Sequence, residues 1–277
     1  MRGPPRPYGG NLRFATWNLK YPDDGKESFR RLDFLNSLEW DVLALQEVSS
    51  AAWQVFSENG LTEGGFCSLE GFGVDSKKAY GVALLVKNGF SLKDPELLPG
   101  NPQIRRALAA KLYGLENPVN VLSWHAPNAA GSGAEVKMKG YKAIIGWINS
   151  KRGPIVIGFD GNHWNISSEL DLPNVEYEEQ WPFFLEAWFF GDEPPHRLRD
   201  ALIAYYQSNP RMYAKAVKER PRGPLAVSYI RGKTEDRFDY IFISDDFEVS
   251  NCRYDYEGAL AAGSDHALVS ADLVLRE

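Results

Sequence analysis

The sequence predicts an α/β fold: a large sandwich of two packed β-sheets with a few flanking helices. Three observations predict it. Many short apolar runs, bounded by Gly, Pro and Asn, are separated by only a few amphipathic helical stretches. Some runs are continuous, as in Val42 to Leu45 and Ile155 to Ile157, which is the pattern of a strand buried on both faces. Others alternate, as in Val119 to His125 and Arg237 to Ile243, so that one face differs from the other. No internal repeat and no long Pro-, Gly- or Ser-rich linker divides the 277 residues. The expected organisation is a flexible tail over 1–10 and one domain over 11–277.

In order, Leu12 to Trp17 reads as a strand, with Asn18 just past its end. Tyr21 to Gly25 is a turn. Asp24 and Glu27 have capping-box spacing for a helix that buries Phe29, Leu32 and Leu35 and turns Arg30, Arg31 and Asp33 outward. Trp40 to Glu47 is a strand and Ala51 to Gly60 a helix. Gly64 to Lys78 is loop-like. Tyr80 to Val86 is a strand that ends at the hairpin-type turn Lys87-Asn88-Gly89. A loop from Pro95 to Pro102 precedes strands over Ala107 to Tyr113 and Val119 to His125. After the flexible Gly131-Ser132-Gly133, Val136 to Asn149 is an amphipathic helix with Tyr141, Ile144, Ile145 and Ile148 on its apolar stripe. The strand Ile155 to Gly158 follows. Asn165 to Pro195 is an acidic, then aromatic insertion that reads as a lid, a cleft wall or simple packing. His196 to Tyr206 and Met212 to Glu219 are helical, and Arg237 to Ile243 and Leu268 to Leu275 are strands.

Composition narrows the function. The chain is 44% hydrophobic and 25% charged, enough for a sizeable core. A net charge of −6 argues against passive nucleic-acid binding, which leaves a basic footprint, but not against an enzyme that meets phosphates through a bound cation. Lys77, Lys78, Arg105, Arg106, Arg231 and Lys233 are available for a local basic rim, and aromatic residues for stacking on bases. Cys67 and Cys252 have no zinc spacing and at most one bridge to form. The N-terminus, basic with Pro and Gly, lacks the apolar run of a signal peptide, and no stretch of 18 apolar residues is present. A cytoplasmic protein is the expectation.

Polar residues gather at the strand ends. Asp160-Gly161-Asn162 follows an apolar strand; alone it reads as a turn, since all three are turn residues. If the extended backbone continues, Asp160 and Asn162 share one side. Asn18 alone reads as a turn starter and His125 as a hydrogen-bonded surface residue. Glu47 fits a metal ligand or a helix N-terminal acid equally well. Asp239 points inward among apolar neighbours and needs a partner, for which His266 is the candidate, beside Asp265. Together these residues supply hard oxygen ligands, amides and an Asp–His pair, an inventory suited to metal-assisted attack of water on a phosphate ester.

Six motifs in order then resemble one family: Thr16-Trp17-Asn18, Leu45-Gln46-Glu47, Trp124-His125-Ala126-Pro127-Asn128, Asp160-Gly161-Asn162, Arg237-Phe238-Asp239-Tyr240 and Gly263-Ser264-Asp265-His266. The chain is similar to the endonuclease/exonuclease/phosphatase superfamily, which includes exonuclease III and pancreatic deoxyribonuclease. The resemblance implies a four-layer αββα sandwich with the site at one edge of the paired sheets. It implies Glu47 as principal metal ligand, with Asn18 and Asp265 helping to hold Mg²⁺ or Mn²⁺ or its waters. Asp160 would orient or deprotonate the attacking water, while Asn162 and His125 donate to the phosphate. His266, held by Asp239, would be a general base or a charged phosphate clamp. The chain departs from the family's usual Gly-Asp-Phe-Asn, having an extra residue between Gly158 and Asp160. Lys20 stands where apurinic endonucleases carry an acid, and Ala129-Ala130-Gly131 where they carry an Arg, which weighs against abasic-site specificity. The expected function is a divalent-metal-dependent nuclease with nucleic acid as substrate, DNA ahead of RNA. The alternative is a phosphoesterase of a small or lipid substrate, such as a phosphoinositide or sphingomyelin. A non-enzymatic binding protein fits less well, because no member of the residue set is missing.

Overall fold

The computed structural model describes residues 10–22, 25–72, 80–162, 189–190, 194–221 and 223–276. Two six-stranded mixed sheets face each other, with helices on their outer faces. The first sheet holds β1 (Asn11–Asn18), β2 (Val42–Ser49), β3 (Phe66–Cys67), β4 (Tyr80–Val86), β13 (Phe247–Asp255) and β14 (Leu268–Leu275), in the order β13-β14-β1-β2-β4-β3. The second holds β5 (Ser91–Leu97), β6 (Ala107–Tyr113), β7 (Val119–His125), β8 (Ile155–Asp160), β9 (Leu198–Asp200) and β12 (Asp239–Ser244), in the order β5-β6-β7-β8-β12-β9. A short ribbon, β10 (Tyr229–Arg231) with β11 (Thr234–Asp236), lies outside both. The strands β1 and β2 run parallel, as do β7 and β8; the other pairs are antiparallel.

Alternation along the central strands builds the layers. Phe14, Val42, Ala44, Val121, Val156, Ile241 and Val269 share the core between the sheets. Their neighbours Ala15, Trp17, Leu43 and Leu45 face the other way, onto α1 (Lys26–Ser37) and α2 (Ser50–Glu58). In the second sheet Leu122, Trp124, Ile157 and Phe159 turn outward onto Tyr141, Ile144 and Ile148 of α4 (Ala134–Ser150). Both faces of these strands are therefore buried, which is why their apolar runs are continuous. The αββα expectation holds. Three further helices are α5 (Ala201–Ser208), α6 (Pro210–Glu219) and α7 (Tyr256–Ala261), with the single turn α3 (Ala129–Ser132) and a 3-10 turn at Ile104–Arg106.

At Gly158 the sheets approach closely. A Cβ there would stand 2.7 Å from Thr16 Cβ and 2.8 Å from both Ala44 Cβ and Phe14 Cε1. The glycine before the Asp160 turn is thus a packing requirement, not a spare loop residue. Gly158→Ala should lower stability by roughly 1–3 kcal/mol through overpacking, read as a reduced urea midpoint. An unchanged midpoint would refute the close approach.

Several local expectations are corrected. Phe29 is 53% exposed, whereas Arg31 is fully buried. Arg31 Nη2 donates to the carbonyls of Lys20 and Gly263 (both 3.2 Å) and to Glu27 Oε2 (3.3 Å), so long-range polar partners override the apolar periodicity. Asp24, the expected cap, lies outside the described residues, and Gly25 occupies the N-cap without a side-chain bond. Lys87-Asn88-Gly89 is a turn but not a hairpin, because it carries the chain from the first sheet into the second. The loop expected from Pro95 begins inside edge strand β5, where a register shift between Lys93 and Glu96 accommodates the proline. Leu198 belongs to β9, and the helix expected from His196 starts only at Ala201. Of the aromatic insertion, Phe189 and Phe190 are described, and both pack on the outer core of the second sheet; 163–188 lie outside the described residues. Cys67 and Cys252 are free and buried. No helix among the described residues is long and apolar enough to cross a membrane.

Candidate active site

The topology brings the polar strand ends to one edge of the sandwich. The parallel strands β1, β2, β7 and β8 deliver Asn18, Glu47, His125 and Asp160 at or near their C-terminal ends. Antiparallel β12 begins there with Asp239, paired directly with Asp160, and the turn into β14 brings Asp265 and His266. His125 is likewise in register with Asp160.

Asp160 is at the centre and only 1% exposed. Its Oδ2 accepts from Asn18 Nδ2 at 2.8 Å and from Asn162 Nδ2 at 3.3 Å. Its Oδ1 accepts from the Asn162 backbone N–H at 2.8 Å. The extended backbone does not continue, because Asn162 has φ 47°. The two residues meet through a turn, and Asn162 Nδ2 also donates to Ala126 O at 2.9 Å. The turn reading and the site reading of this tripeptide are therefore compatible. His125 Nε2 faces Asp160 Oδ2 at 3.5 Å and Glu47 Oε1 at 3.6 Å, longer than a good hydrogen bond in both cases. His266 Nδ1 and Asp239 Oδ2 are 2.8 Å apart, the pairing expected from the sequence.

Glu47 is held in an unusual backbone state, φ 54°, where the β2–β4 register shifts between Leu45 and Val48. A non-glycine residue in the left-handed region at a bulge is a recurring mark of a functional site, since the bulge re-aims a side chain. Glu47 Oε2 accepts from Tyr21 N at 2.6 Å. Asp265 is at the rim, a third exposed, with Lys20 Nζ 3.9 Å from its carboxylate.

Burial and charge set the protonation states. Asp160 is pushed up to about 7, mainly by burial and further by the Asp239 carboxylate; His266 and the amides of Asn162 and Asn18 oppose the rise. Burial works against a charged His266, but Asp239, Asp160 and Asp265 outweigh it and lift His266 to about 10. At neutral pH His266 is a cation.

Four carboxylates meet this edge, and His266 and Lys20 are the cations shown above against them. Asp239 Oδ1 is buried with no hydrogen-bond partner among the described residues. The acid excess and the hard carboxylate and amide oxygens of Glu47, Asp265 and Asn18 suit a divalent cation. Among the described residues, Asp160, Asp239 and His266 place ligand-type atoms within 4.8 Å of one another. The short bond between His266 and Asp239 already occupies Nδ1, so that grouping reads better as an ion-pair network than as the metal's own ligands.

Two residues inside the quoted motifs, Gln46 and Ser264, and one outside them, Ser228, carry contacts to which the sequence assigned no role. Gln46, fully buried between the sheets, donates to Thr16 Oγ1 (3.0 Å) and Ser123 Oγ (3.2 Å), a polar layer under the site. Ser264 Oγ donates to Asn18 O (2.6 Å) and accepts from His266 N (3.0 Å), tying the first and last motifs together. Ser228 Oγ accepts from Asp239 N at 3.0 Å. No hydrophobic period marks such residues. Of the expected basic rim, Arg231 and Lys233 are exposed and Arg105 is partly so, whereas Arg106 is buried against the Tyr80 ring and hydroxyl. Lys77 and Lys78 lie outside the described residues.

The family match that accompanies this fold places the chain among hydrolases of phosphoric esters. The profile of the Endonuclease/Exonuclease/phosphatase family matches residues 15–266, and the chain belongs to that family. The fold is also that of an endonuclease/exonuclease/phosphatase from Bacteroides vulgatus (19% identity, TM-score 0.66, covering 96% of this chain and 99% of that one). It is similar to the Xenopus laevis APE2 catalytic domain (18%, 0.67, 96% and 94%) and to D. rerio TDP2 complexed with single strand DNA product (13%, 0.66, 95% and 98%). No curated protein sequence matches the chain.

Proposed function

We propose that the chain is a divalent-metal-dependent phosphodiesterase, and specifically a nuclease that hydrolyses DNA in preference to RNA. The observation that carries this is the buried Asp160 carboxylate, oriented by two asparagine amides, with His125 on one side and the Asp239–His266 pair in register on the other. Asp160, raised near neutrality, accepts a proton from the attacking water and fixes its direction. His125 and Asn162 donate to phosphate oxygens; Asn162 does so by giving up its longer bond to Asp160. His266, charged and anchored by Asp239, holds a further phosphate oxygen. Glu47, Asn18 and Asp265 would hold Mg²⁺ or Mn²⁺, which when bound stabilises charge on the phosphate and leaving oxygens. Asn18 Oδ1 accepts from Lys20 N and keeps a second lone pair for this purpose.

Nucleic acid is favoured because Tyr21, 38% exposed, packs on Tyr80 (4.9 Å between centroids), and Tyr80 lies 6.1 Å from His125. An exposed ring beside a phosphate site suits base stacking. The TDP2 structure with a single-stranded DNA product lends support from a similar fold. With Mg²⁺ or Mn²⁺, single-stranded DNA, plasmid, RNA, an inositol polyphosphate and sphingomyelin should be ranked with DNA first, and EDTA should abolish turnover. Cleavage of the inositol phosphate or lipid alone would favour the alternative substrate class. No hydrolysis of any of them would refute the enzyme assignment.

A further inference from the structure

We infer that Lys137 and Tyr141 on α4 form a two-point clamp that sets the position of Asn162, making Lys137 a positioning residue for the reaction. Lys137 Nζ donates to Asn162 O at 2.6 Å, and Tyr141 Oη donates to Gly161 O at 3.0 Å. The two donors are four residues apart, on one face of the helix, and they take two consecutive carbonyls of the site turn. Both side chains are buried, Lys137 at 5% exposure and Tyr141 at 0%. The Lys137 ammonium lies 6.0 Å from the Tyr141 ring centroid.

The turn needs such an anchor. Asn162 is left-handed, a state seldom adopted by non-glycine residues unless the surroundings over-determine it. Gly161 N donates to Phe238 O at 2.7 Å, which fixes the other side of the turn. With the carbonyls held by α4, the Asn162 backbone N–H and side-chain amide stay directed at Asp160 and Ala126. Burying an ammonium is a costly way to fill space. An apolar residue would pack there without that penalty but would leave the Asn162 carbonyl unheld.

The inference rests on the role proposed for Asn162, and a double-mutant cycle separates the two. Turnover of single-stranded DNA with Mg²⁺ would be compared for wild type, Lys137→Met, Lys137→Arg, Asn162→Ala and Lys137→Met/Asn162→Ala. Lys137→Met should lower kcat about tenfold with KM little changed, as for loss of an outer support of a site group, and Lys137→Arg should recover part of it. In the Asn162→Ala background the same change should have almost no further effect. A wild-type rate for Lys137→Met, or a full second loss in that background, would overturn the clamp. If Lys137→Met does not fold, Tyr141→Phe removes the neighbouring donor and should reproduce the kcat loss. The Asn162 side-chain amide resonance, assigned by its disappearance in Asn162→Ala, should shift in Lys137→Met. An unmoved resonance overturns the clamp even if the wild-type protein hydrolyses none of the substrates, a result that counts against the nuclease reading instead.

Discussion

Asp160→Ala should lower phosphodiester turnover by at least roughly a hundredfold, the scale of removing a group that handles the attacking water. The loss must be separated from misfolding, and the burial of Asp160 provides the means. Its folded-state value is raised from 3.8 to about 7, chiefly by burial. Between those values the unfolded chain is ionised while the folded chain keeps the proton. The folded state therefore binds more protons, and stability falls as pH rises through that window. Asp160→Asn cannot ionise, so this fall should disappear and the variant should melt no lower than wild type above neutral pH. Low activity combined with undiminished stability is the expected pattern. Near wild-type turnover in Asp160→Ala would sink the assignment of the water-handling role.

The second large effect is at His266. His266→Ala should also reduce turnover by roughly a hundredfold or more. The sequence left open whether this residue is a general base or a charged clamp, and the geometry favours the clamp. Nδ1 is 2.8 Å from a fully buried Asp239, and Asp239, Asp160 and Asp265 raise His266 to about 10 against the effect of burial. A clamp works while protonated. Its contribution should persist from pH 6.5 to 9, where an ordinary histidine would be losing its charge. Asp239→Asn weakens the support of that charge, so the alkaline fall in rate should begin at lower pH. If the wild-type rate instead rises with loss of a proton at His266, followed by the imidazole carbon shifts, the clamp role is wrong and the base role takes its place.

Much of this site was legible from residue order, for a physical reason. A polar residue at or near the end of a buried strand has little freedom: the strand fixes its backbone and the sandwich fixes its depth. Asn18, Glu47, His125, Asp160 and Asp239 all follow that logic. His266 could be matched to Asp239 because a buried carboxylate needs a partner. What could not be read depends on where distant segments meet. Arg31 occupies a position that periodicity treats as solvent-facing, and Lys137 is a charged residue in line with the apolar stripe of its helix, yet each spans to a backbone carbonyl far away in sequence. The edge strand β5 carries Pro95 and charged residues, so it lacks the signature of a central strand. Gln46 has no apolar partner to betray it, since its neighbours are polar groups from both sheets. The strained φ of Glu47 is a consequence of the β2–β4 register shift and has no local cue.

The placement of β14 carries an implication for biosynthesis. This strand comes last among the described elements but lies inside its sheet, hydrogen-bonded on one side to β1 and on the other to β13. Asp265 and His266 immediately precede it, and Trp17 Nε1 donates to His266 O at 3.0 Å. During synthesis β1 is made long before β14, and the edge it offers to that strand stays unpaired until β14 follows. Until then neither the β1–β14 and β13–β14 pairings nor the His266–Asp239 pair can form. A nascent chain tethered before Gly263 therefore lacks the His266–Asp239 pair and the edge that closes the site.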